Sequence, residues 1–179
     1  MVAALTACAT GTPSATAPAS APAAGMIGDI PRNQPYAPFT AADMSVTVRI
    51  PAGWTRTEGG SSALFTSGFD SVAVDTLSTP QAPTTASART FDVPELQTTS
   101  NGFVLGQIAT AARPAGTAVL VTYEALSPLA TSSQPVVEAV ERYQFWRGTH
   151  EAILTLSSPA GTANAGAWRT ITDSLRWLS

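Results

Sequence analysis

The residues best suited to chemistry are one histidine, one cysteine and a scatter of serines and carboxylates. His150 is the only histidine, and with a serine and Asp75 or Asp173 it would supply the groups of a nucleophilic triad. No Gly-x-Ser-x-Gly elbow accompanies these residues, and Gly59-Gly60-Ser61-Ser62 lacks that pattern. His150 also falls in a predicted hairpin turn, where a histidine is ordinarily exposed. We therefore predict no hydrolase site around His150.

Other reactive groups are equally sparse. One cysteine and one histidine cannot form a structural zinc site or an internal disulfide. Glu138 and Glu141 are three positions apart, so on a strand they point to opposite faces and cannot work as an acid/base pair. No glycine loop that would cradle a phosphate is present. We predict no catalytic, cofactor-binding or metal-ligating residues.

The single cysteine lies in a sequence suited to lipid attachment. Leu5-Thr6-Ala7-Cys8 has the form of a bacterial lipobox, in which small residues after an apolar stretch let a signal peptidase cut before the cysteine. Residues 1–8 are interpreted as the tail of a signal peptide ending in this lipobox, since only seven residues precede Cys8 and none is positively charged. Cys8 is the predicted site of a diacylglyceryl group, with palmitate-type acyl chains holding the protein on a membrane.

A flexible tether follows the cysteine. Residues 9–25 contain only Ala, Thr, Pro, Ser and Gly, a composition that cannot build a core. A segment of this length has a root-mean-square reach of roughly 20 to 25 Å. Residues 26–179 are predicted to form a single domain that the tether holds away from the membrane.

The charge and the hydrophobic content of the sequence limit which partners the protein can bind. All nine basic residues are Arg, the net charge is -3, and only 12% of residues are charged against 44% hydrophobic. No basic face is available to neutralise phosphates, so we predict no nucleic-acid partner. No apolar run reaches about 18 residues, which excludes a complete transmembrane helix within the sequence.

The sequence of residues 26–179 predicts mainly antiparallel strands. Residues 26–39 are rich in turn formers and are expected to wrap onto the domain without regular structure. Alternating residues predict strands over 44–50, 54–57, 63–66 and 71–77. Two hairpins are predicted, one joining 103–111 to 117–125 and one joining 136–146 to 151–157.

Two helical regions complete the pattern. Between Pro80 and Gly102 we expect a broken helix interrupted by Pro94. A closing helix is predicted from Ala165 to Trp177, with the Asn164 side chain as its N-cap.

One face of the closing helix is apolar and the other is charged. Its stripe of Trp168, Ile171 and Leu175 should form the main lid of the core, while Arg169 and Arg176 pair with Asp173 on the wet face. The four tryptophans are expected mostly in the core, although Trp54 and Trp146 could edge a groove. The predicted fold class is α+β, a twisted antiparallel sheet flanked by helices with the C-terminal helix packed on it.

Several local sequences resemble one family. Ile50-Pro51-Ala52-Gly53-Trp54, Tyr143-Gln144-Phe145-Trp146-Arg147, 154–159 and 168–175 resemble the PsbP-like lipoproteins of actinobacteria over about residues 40–179. The resemblance implies an antiparallel sheet between helices. It also implies a role as an extrinsic subunit or adaptor of a larger assembly, and it supplies no catalytic residues.

These observations favour one function over two others. We expect a non-enzymatic accessory or adaptor subunit, lipid-anchored through Cys8 on the outer face of the bacterial cytoplasmic membrane, with a protein partner in an envelope complex. The alternative is a carrier of a small apolar ligand, which would need a cavity of several hundred Å³. A hydrolase would need His150 buried beside a serine.

Overall fold

The computed structural model describes Met1, residues 28–130 and residues 135–178. Ten strands lie in this part of the chain: β1 (Tyr36–Thr40), β2 (Val46–Pro51), β3 (Thr55–Gly59), β4 (Ser62–Ser67), β5 (Asp70–Ser78), β6 (Val104–Arg113), β7 (Gly116–Leu126), β8 (Val137–Arg147), β9 (His150–Pro159) and β10 (Arg176–Trp177). The helices are α1 (Thr85–Ser87), α2 (Val93–Thr99) and α3 (Ala165–Asp173), and a π-helical turn (Ala88–Asp92) joins α1 to α2.

Seven strands form one antiparallel sheet in the order β3-β4-β5-β9-β8-β7-β6. Both predicted hairpins are confirmed. One turns between Arg113 and Gly116, and the other turns between Arg147 and His150. Gly148 in the second turn has φ 65°, a left-handed conformation that glycine adopts without steric cost.

Alternating side chains give this sheet two buried faces. Ala118 and Leu120 of β7 point into the larger core, while Val119 and Val121 point into a smaller core on the opposite face. The helical residues 85–99 cover the smaller core. The sheet is therefore an inner layer, which explains why β7 to β9 carry apolar residues at consecutive positions.

The larger core has a lid made of two parts. β1, β2 and β10 form a three-stranded sheet in the order β1-β2-β10, and Val46, Val48 and Ile50 of β2 are buried in the core. Trp168 and Ile171 of α3 are buried beside them, together with Leu175 just after the helix. Burial of the predicted apolar stripe is confirmed, but α3 shares the lid with the small sheet. The α+β class with a C-terminal helix packed on an antiparallel sheet is confirmed.

The first helical region was expected to break at Pro94, but it is continuous. It runs from Thr85 to Thr99, and Pro94 lies at the start of α2 directly after the π-helical turn. A proline lacks an N–H and collides with the carbonyl four residues earlier, and the wider π turn accommodates both defects. The helical path therefore passes Pro94 without a break.

Residues 26–39, which were expected to lack regular structure, contain most of strand β1. Tyr36–Thr40 pairs with Thr47–Pro51, so the ladder extends to Pro51, one residue past the predicted strand 44–50. Pro35 and Pro38 lie beside and within β1, and prolines normally argue against a strand. β1 is an edge strand, where the missing N–H of proline is not needed, so the structure tolerates both.

The closing helix is shorter than predicted. It ends at Asp173, and Arg176–Trp177 forms β10 against β2 instead of a last helical turn. The Ser174 hydroxyl donates to the Ile171 carbonyl at 2.6 Å and accepts from the Arg49 N–H at 2.8 Å. Pairing with β2 thus replaces the backbone bonds that a longer helix would have made.

Candidate functional site

Cys8, the predicted lipid site, lies outside the described residues. His150 is exposed at the first position of β9, as its predicted place in the turn implied. The hydroxyl of Ser78, its partner in the strand register, donates to the Thr149 carbonyl at 3.2 Å. The burial beside a serine that a His150 hydrolase would need is therefore not found.

The tryptophans are mainly structural. Trp168 is 7% exposed, and Trp54 and Trp177 are half-buried against the larger core. The indole N–H of Trp177 donates to the Ala115 carbonyl at 3.1 Å, and that of Trp146 donates to the Thr79 carbonyl at 3.3 Å. Both of these rings are tied to neighbouring loops.

Glu138 and Glu141 point to opposite faces of the sheet, as the spacing predicted. Glu141 accepts a hydrogen bond from the Tyr143 hydroxyl at 2.6 Å on the face of the larger core. Glu138 lies on the helix-covered face and is only 4% exposed. It lines a cleft of about 490 Å³ between the sheet, the end of α2 and the loop after β7.

We call this cavity the Glu138 cleft. It is lined by Ser71, Thr99, Ser100, Asn101, Tyr123, Ala125, Leu126, Ser127, Pro128, Ala130, Pro135, Glu138, Val140, Thr155 and Ser157. The hydroxyls of Ser71 and Ser157 lie 2.8 Å apart, which joins β5 to β9 across its floor. A buried carboxylate, several hydroxyls and one aromatic ring therefore converge on one space.

The carboxylate of Glu138 is incompletely satisfied. Its Oε1 atom is buried and has no hydrogen-bond partner in the part of the chain that the structure describes. Burial raises the pKa of Glu138, and hydrogen bonds from Ser127 and Ser157 oppose that rise. The ion pairs found among the described residues do not include Glu138.

Further polar atoms follow Glu138 along the same face of β8. The Arg142 Nε and the Gln144 Oε1 are also buried without a partner among residues 28–130 and 135–178. Arg142 donates from a terminal nitrogen to the Thr155 hydroxyl at 3.3 Å. Buried polar groups are nearly always hydrogen-bonded, so these three atoms on one face of β8 are exceptions to a general rule.

A second polar cluster holds α3 to the sheet. Arg113 donates to the Tyr143 hydroxyl and to the Thr172 hydroxyl, each at 2.9 Å, and lies 3.5 Å from Asp173. Burial and the hydrogen bond to Glu141 raise the pKa of Tyr143 to about 12, so its phenol stays protonated. The hydroxyls of Tyr143 and Thr172 are hydrogen-bonded within this cluster, while Asp173 Oδ1 is held only by the charge of Arg113.

The charge pairs of α3 match the prediction only in part. Arg169 lies 3.0 Å from Asp173, as expected. Arg176, in contrast, donates to backbone carbonyls, and Arg113 takes the predicted place beside Asp173. The early end of the helix moves Arg176 away from the carboxylate.

Asn164 does not cap α3 with its side chain. Its Oδ1 accepts from the Ile30 N–H at 2.7 Å, and its Nδ2 donates to the Gly28 carbonyl at 2.6 Å and to the Ser158 hydroxyl at 2.8 Å. The same Nδ2 lies 3.2 Å from Asp70 Oδ1. We call these contacts the Asn164 latch, because they fasten residues 28–30 to the loop before α3.

The Glu138 cleft could not be predicted from the sequence because its parts come from distant strands. Ser71 and Ser157 are 86 residues apart in sequence and meet only through the pairing of β5 with β9. The spacing along β8 gave one indication of it. The polar residues at 138, 142 and 144 are an even number of positions from buried Val140, so they lie on the same face of the strand. In residues 28–130 and 135–178 there is no cluster of three potential metal ligands, and no helix is long and apolar enough to span a membrane.

Comparison with known proteins supports the fold. No protein-family model and no curated protein matches the sequence. The Ran-binding protein Mog1p of Saccharomyces cerevisiae matches with a TM-score of 0.56 and 13% identity over 82% of this chain and 97% of its own. Cyanobacterial PsbP (CyanoP) of Synechocystis matches with a TM-score of 0.54 and 13% identity over 89% of this chain and 98% of its own.

Two further structures are less informative. This chain spans about half, 48%, of a chain from Bacteroides thetaiotaomicron, with a TM-score of 0.50, 12% identity and 79% of this chain covered. LpqN of Mycobacterium tuberculosis, involved in cell envelope biogenesis, gives a TM-score of 0.46 and 11% identity over 83% of this chain and 93% of its own, too low to carry a functional argument. The comparisons thus establish a PsbP-like and Mog1-like fold and nothing finer.

Proposed function

We propose that this chain is a non-enzymatic accessory protein of the bacterial cell envelope. In this proposal a lipid on Cys8 anchors it to the outer face of the cytoplasmic membrane, and its domain docks onto a protein of a membrane complex. The lipobox and the tether of residues 9–25 support the anchor. Two or three acyl chains hold a protein far more firmly than one, because each buried methylene contributes about 0.8 kcal/mol.

The observation that carries the docking role is the uncharged outer edge of β6. Within the described residues β6 pairs only with β7, so its other edge is unpaired over ten residues. Residues 104–112 contain no charged side chain, and Val104 is 60% exposed. A long unpaired strand without charges is a template for another strand.

The opposite edge of the same sheet provides the contrast. β3 has only five residues, all exposed, and it carries Arg56 and Glu58, the kind of charge that discourages strand pairing. On β6 the register is irregular between Leu105 and Ile108 and regular from Ile108 to Arg113. The partner in this proposal is therefore an extended segment of an envelope protein that adds a strand beside residues 108–113.

The anchor is tested by replacing its attachment atom. Expressed behind a lipoprotein signal peptide, the wild-type chain should enter the detergent phase on phase separation, and Cys8→Ser should stay in the aqueous phase or remain unprocessed. Equal partition of the two proteins would overturn the anchor. Mass spectrometry of the N-terminal peptide supplies the direct readout of the lipid.

The docking edge is tested by adding a charge to it. Thr110→Lys places a lysine on the exposed edge of β6, and Thr57→Lys places the same charge on β3 as the matched control. Both exposed substitutions should change stability by less than about 0.5 kcal/mol. After in-cell cross-linking and detergent solubilisation, the membrane protein joined to wild type should remain with Thr57→Lys and disappear with Thr110→Lys. Retention by both variants would exclude this edge.

The structure contains a cavity large enough for the alternative function of a ligand carrier, but the lining of that cavity does not suit an apolar ligand. The Glu138 cleft has the volume that a carrier needs, about 490 Å³. Its lining includes the buried carboxylate of Glu138, and an apolar molecule would leave that carboxylate without a counter-charge. A small polar molecule suits this cleft better.

A further inference from the structure

Four of the nine arginines meet at the C-terminal end of α3, around one carboxylate. Arg113 and Arg169 lie 3.5 Å and 3.0 Å from the carboxylate of Asp173. Arg49 of β2 and Arg176 of β10 line a groove beside Asp173, and the ion pairs among the described residues include neither of them. The composition predicted no basic face, but the fold concentrates positive charge here in a chain whose net charge is -3.

We call the space between α3 and β2 the arginine groove. Its volume is about 510 Å³, and the charged side chains that line it are Arg49, Asp173 and Arg176. The hydroxyl groups of the groove each donate to a backbone carbonyl within the fold, and they belong to Thr47, Thr170 and Ser174. The guanidinium groups are therefore the donors that the groove offers to a ligand.

Both of these guanidinium groups are exposed, held in place and still charged. Arg49 donates from one terminal nitrogen to the Tyr36 carbonyl at 3.2 Å. Arg176 donates from one terminal nitrogen to the carbonyls of Asp173 and Leu175, at 2.8 Å and 2.7 Å. A guanidinium has five N–H donors and does not lose its charge in proteins, so contacts with carbonyls orient it without neutralising it.

The chain enters the domain beside the same helix. The described part of the domain begins at Gly28, whose carbonyl accepts a hydrogen bond from Asn164 at the start of α3. α3 has nine residues, so its two ends are about 13 Å apart. The predicted tether of residues 9–25 has a reach of roughly 20 to 25 Å. A lipid on Cys8 would therefore keep the arginine groove within reach of the membrane surface.

We propose that the arginine groove binds the surface of an anionic membrane, with Arg49 and Arg176 contacting the phosphodiester groups of its lipids. The planar guanidinium matches two phosphate oxygens at once. Each arginine close to an anionic surface strengthens binding about fivefold at low salt. The position of the groove near the entering chain favours a membrane over an acidic protein. In the cell this role rests on the proposed anchor, whereas the binding itself is a property of the domain.

Vesicle flotation tests the binding without the anchor. The probes are vesicles of phosphatidylcholine alone and vesicles containing about one third phosphatidylglycerol, mixed with the full chain carrying no lipid. At low salt the chain should bind the anionic vesicles at least tenfold more strongly than the neutral ones. At about 300 mM salt this preference should disappear, because the ions screen exposed charges. The result does not depend on whether a cell attaches a lipid to Cys8, so this proposal and the anchor fail separately.

Variants locate the charge. Arg49→Gln combined with Arg176→Gln should weaken binding to the anionic vesicles at least tenfold. Arg49→Lys combined with Arg176→Lys keeps both charges and should retain most of the binding. Arg89→Gln combined with Arg147→Gln removes the same charge from exposed positions outside the groove and should bind within about twofold of wild type.

Three results would overturn the proposal. The first is no preference of wild type for the anionic vesicles. The second is an equal loss of binding in the two glutamine double variants, which would mean that net charge and not the groove is responsible. The third is release from the vesicles by millimolar glycerol phosphate at constant ionic strength, which would identify the groove as a site for a soluble phosphate ester.

Discussion

The Asn164 latch yields the sharpest test of this structure, because two roles for one side chain predict opposite outcomes. A helix N-cap works equally well with Asn or Asp, since both supply an oxygen that accepts from the first turn. The latch needs a donor, because Asn164 Nδ2 gives hydrogen bonds to the Gly28 carbonyl and the Ser158 hydroxyl. Asn164→Asp would therefore preserve a cap if the side chain formed one, but it destroys the latch.

The size of the effect follows from the contacts. Asn164 is 3% exposed, and its removal leaves the Ile30 N–H and the Gly28 carbonyl without partners. At about 1 kcal/mol for each hydrogen bond, Asn164→Ala should reduce the free energy of unfolding by about 3 kcal/mol. Asn164→Asp should lose at least as much at neutral pH, because its second oxygen would face Asp70 Oδ1, now 3.2 Å from Nδ2.

Urea unfolding followed by tryptophan fluorescence measures both losses. Asn33→Asp, which makes the same substitution at an exposed position, is the matched control and should shift the free energy of unfolding by less than about 0.5 kcal/mol. Limited proteolysis should also cut both Asn164 variants faster near residues 28–35. If Asn164→Asp is as stable as wild type while Asn164→Ala loses about 1 kcal/mol, the side chain is a cap and the latch is wrong.

Three further outcomes are expected. Trp168→Ala should lower the free energy of unfolding by about 3 to 5 kcal/mol in urea titrations, whereas Arg169→Ala, at a side chain 65% exposed, should cost under about 1 kcal/mol. Burial raises the pKa of Asp70 to about 6, so its stabilising contribution is complete below about pH 3.8 and lost as pH rises through about 6. Relative to Asp70→Asn, wild type should then lose up to about 3 kcal/mol between pH 4 and 7, and parallel profiles would contradict this. Gly106→Ala should cost about 1 to 3 kcal/mol by calorimetry, since its Cβ would lie 2.6 Å from Thr122 Oγ1, and Thr122→Ser should not restore it.

The strands were predictable because their signal is local. Alternation along Ser71–Leu77 and the turns at Gly116 and Gly148 depend on neighbouring residues, and the structure reproduces them within a few positions. β10 was missed because it forms only by pairing with β2, a contact between residues far apart in sequence, whereas β1 pairs with β2 across a short loop and was masked by its prolines. The distant pairing of β10 also explains the early end of α3.

The candidate site was harder to predict than the fold. The parity of Glu138 and Glu141 placed them on opposite faces, but nothing local indicated that Glu138 would be buried beside Ser157. Asn164 preceded an apolar helix, so its local context favoured a cap. Its actual partners at Gly28 and Ile30 lie 136 and 134 residues away and become neighbours only in the finished fold.

The three-stranded sheet also governs when the domain can fold. β2 takes β1 on one side and β10 on the other, and Leu178 donates to the Ser45 carbonyl at 2.9 Å. A chain emerging from its N-terminus therefore cannot close the larger core until residue 178 is free, because the other half of the lid is still missing. Contacts between such distant residues form late and slowly. Completion of the larger core therefore depends on residues from both ends of the domain, so a chain that lacks β10 should leave one side of β2 unpaired and the lid incomplete.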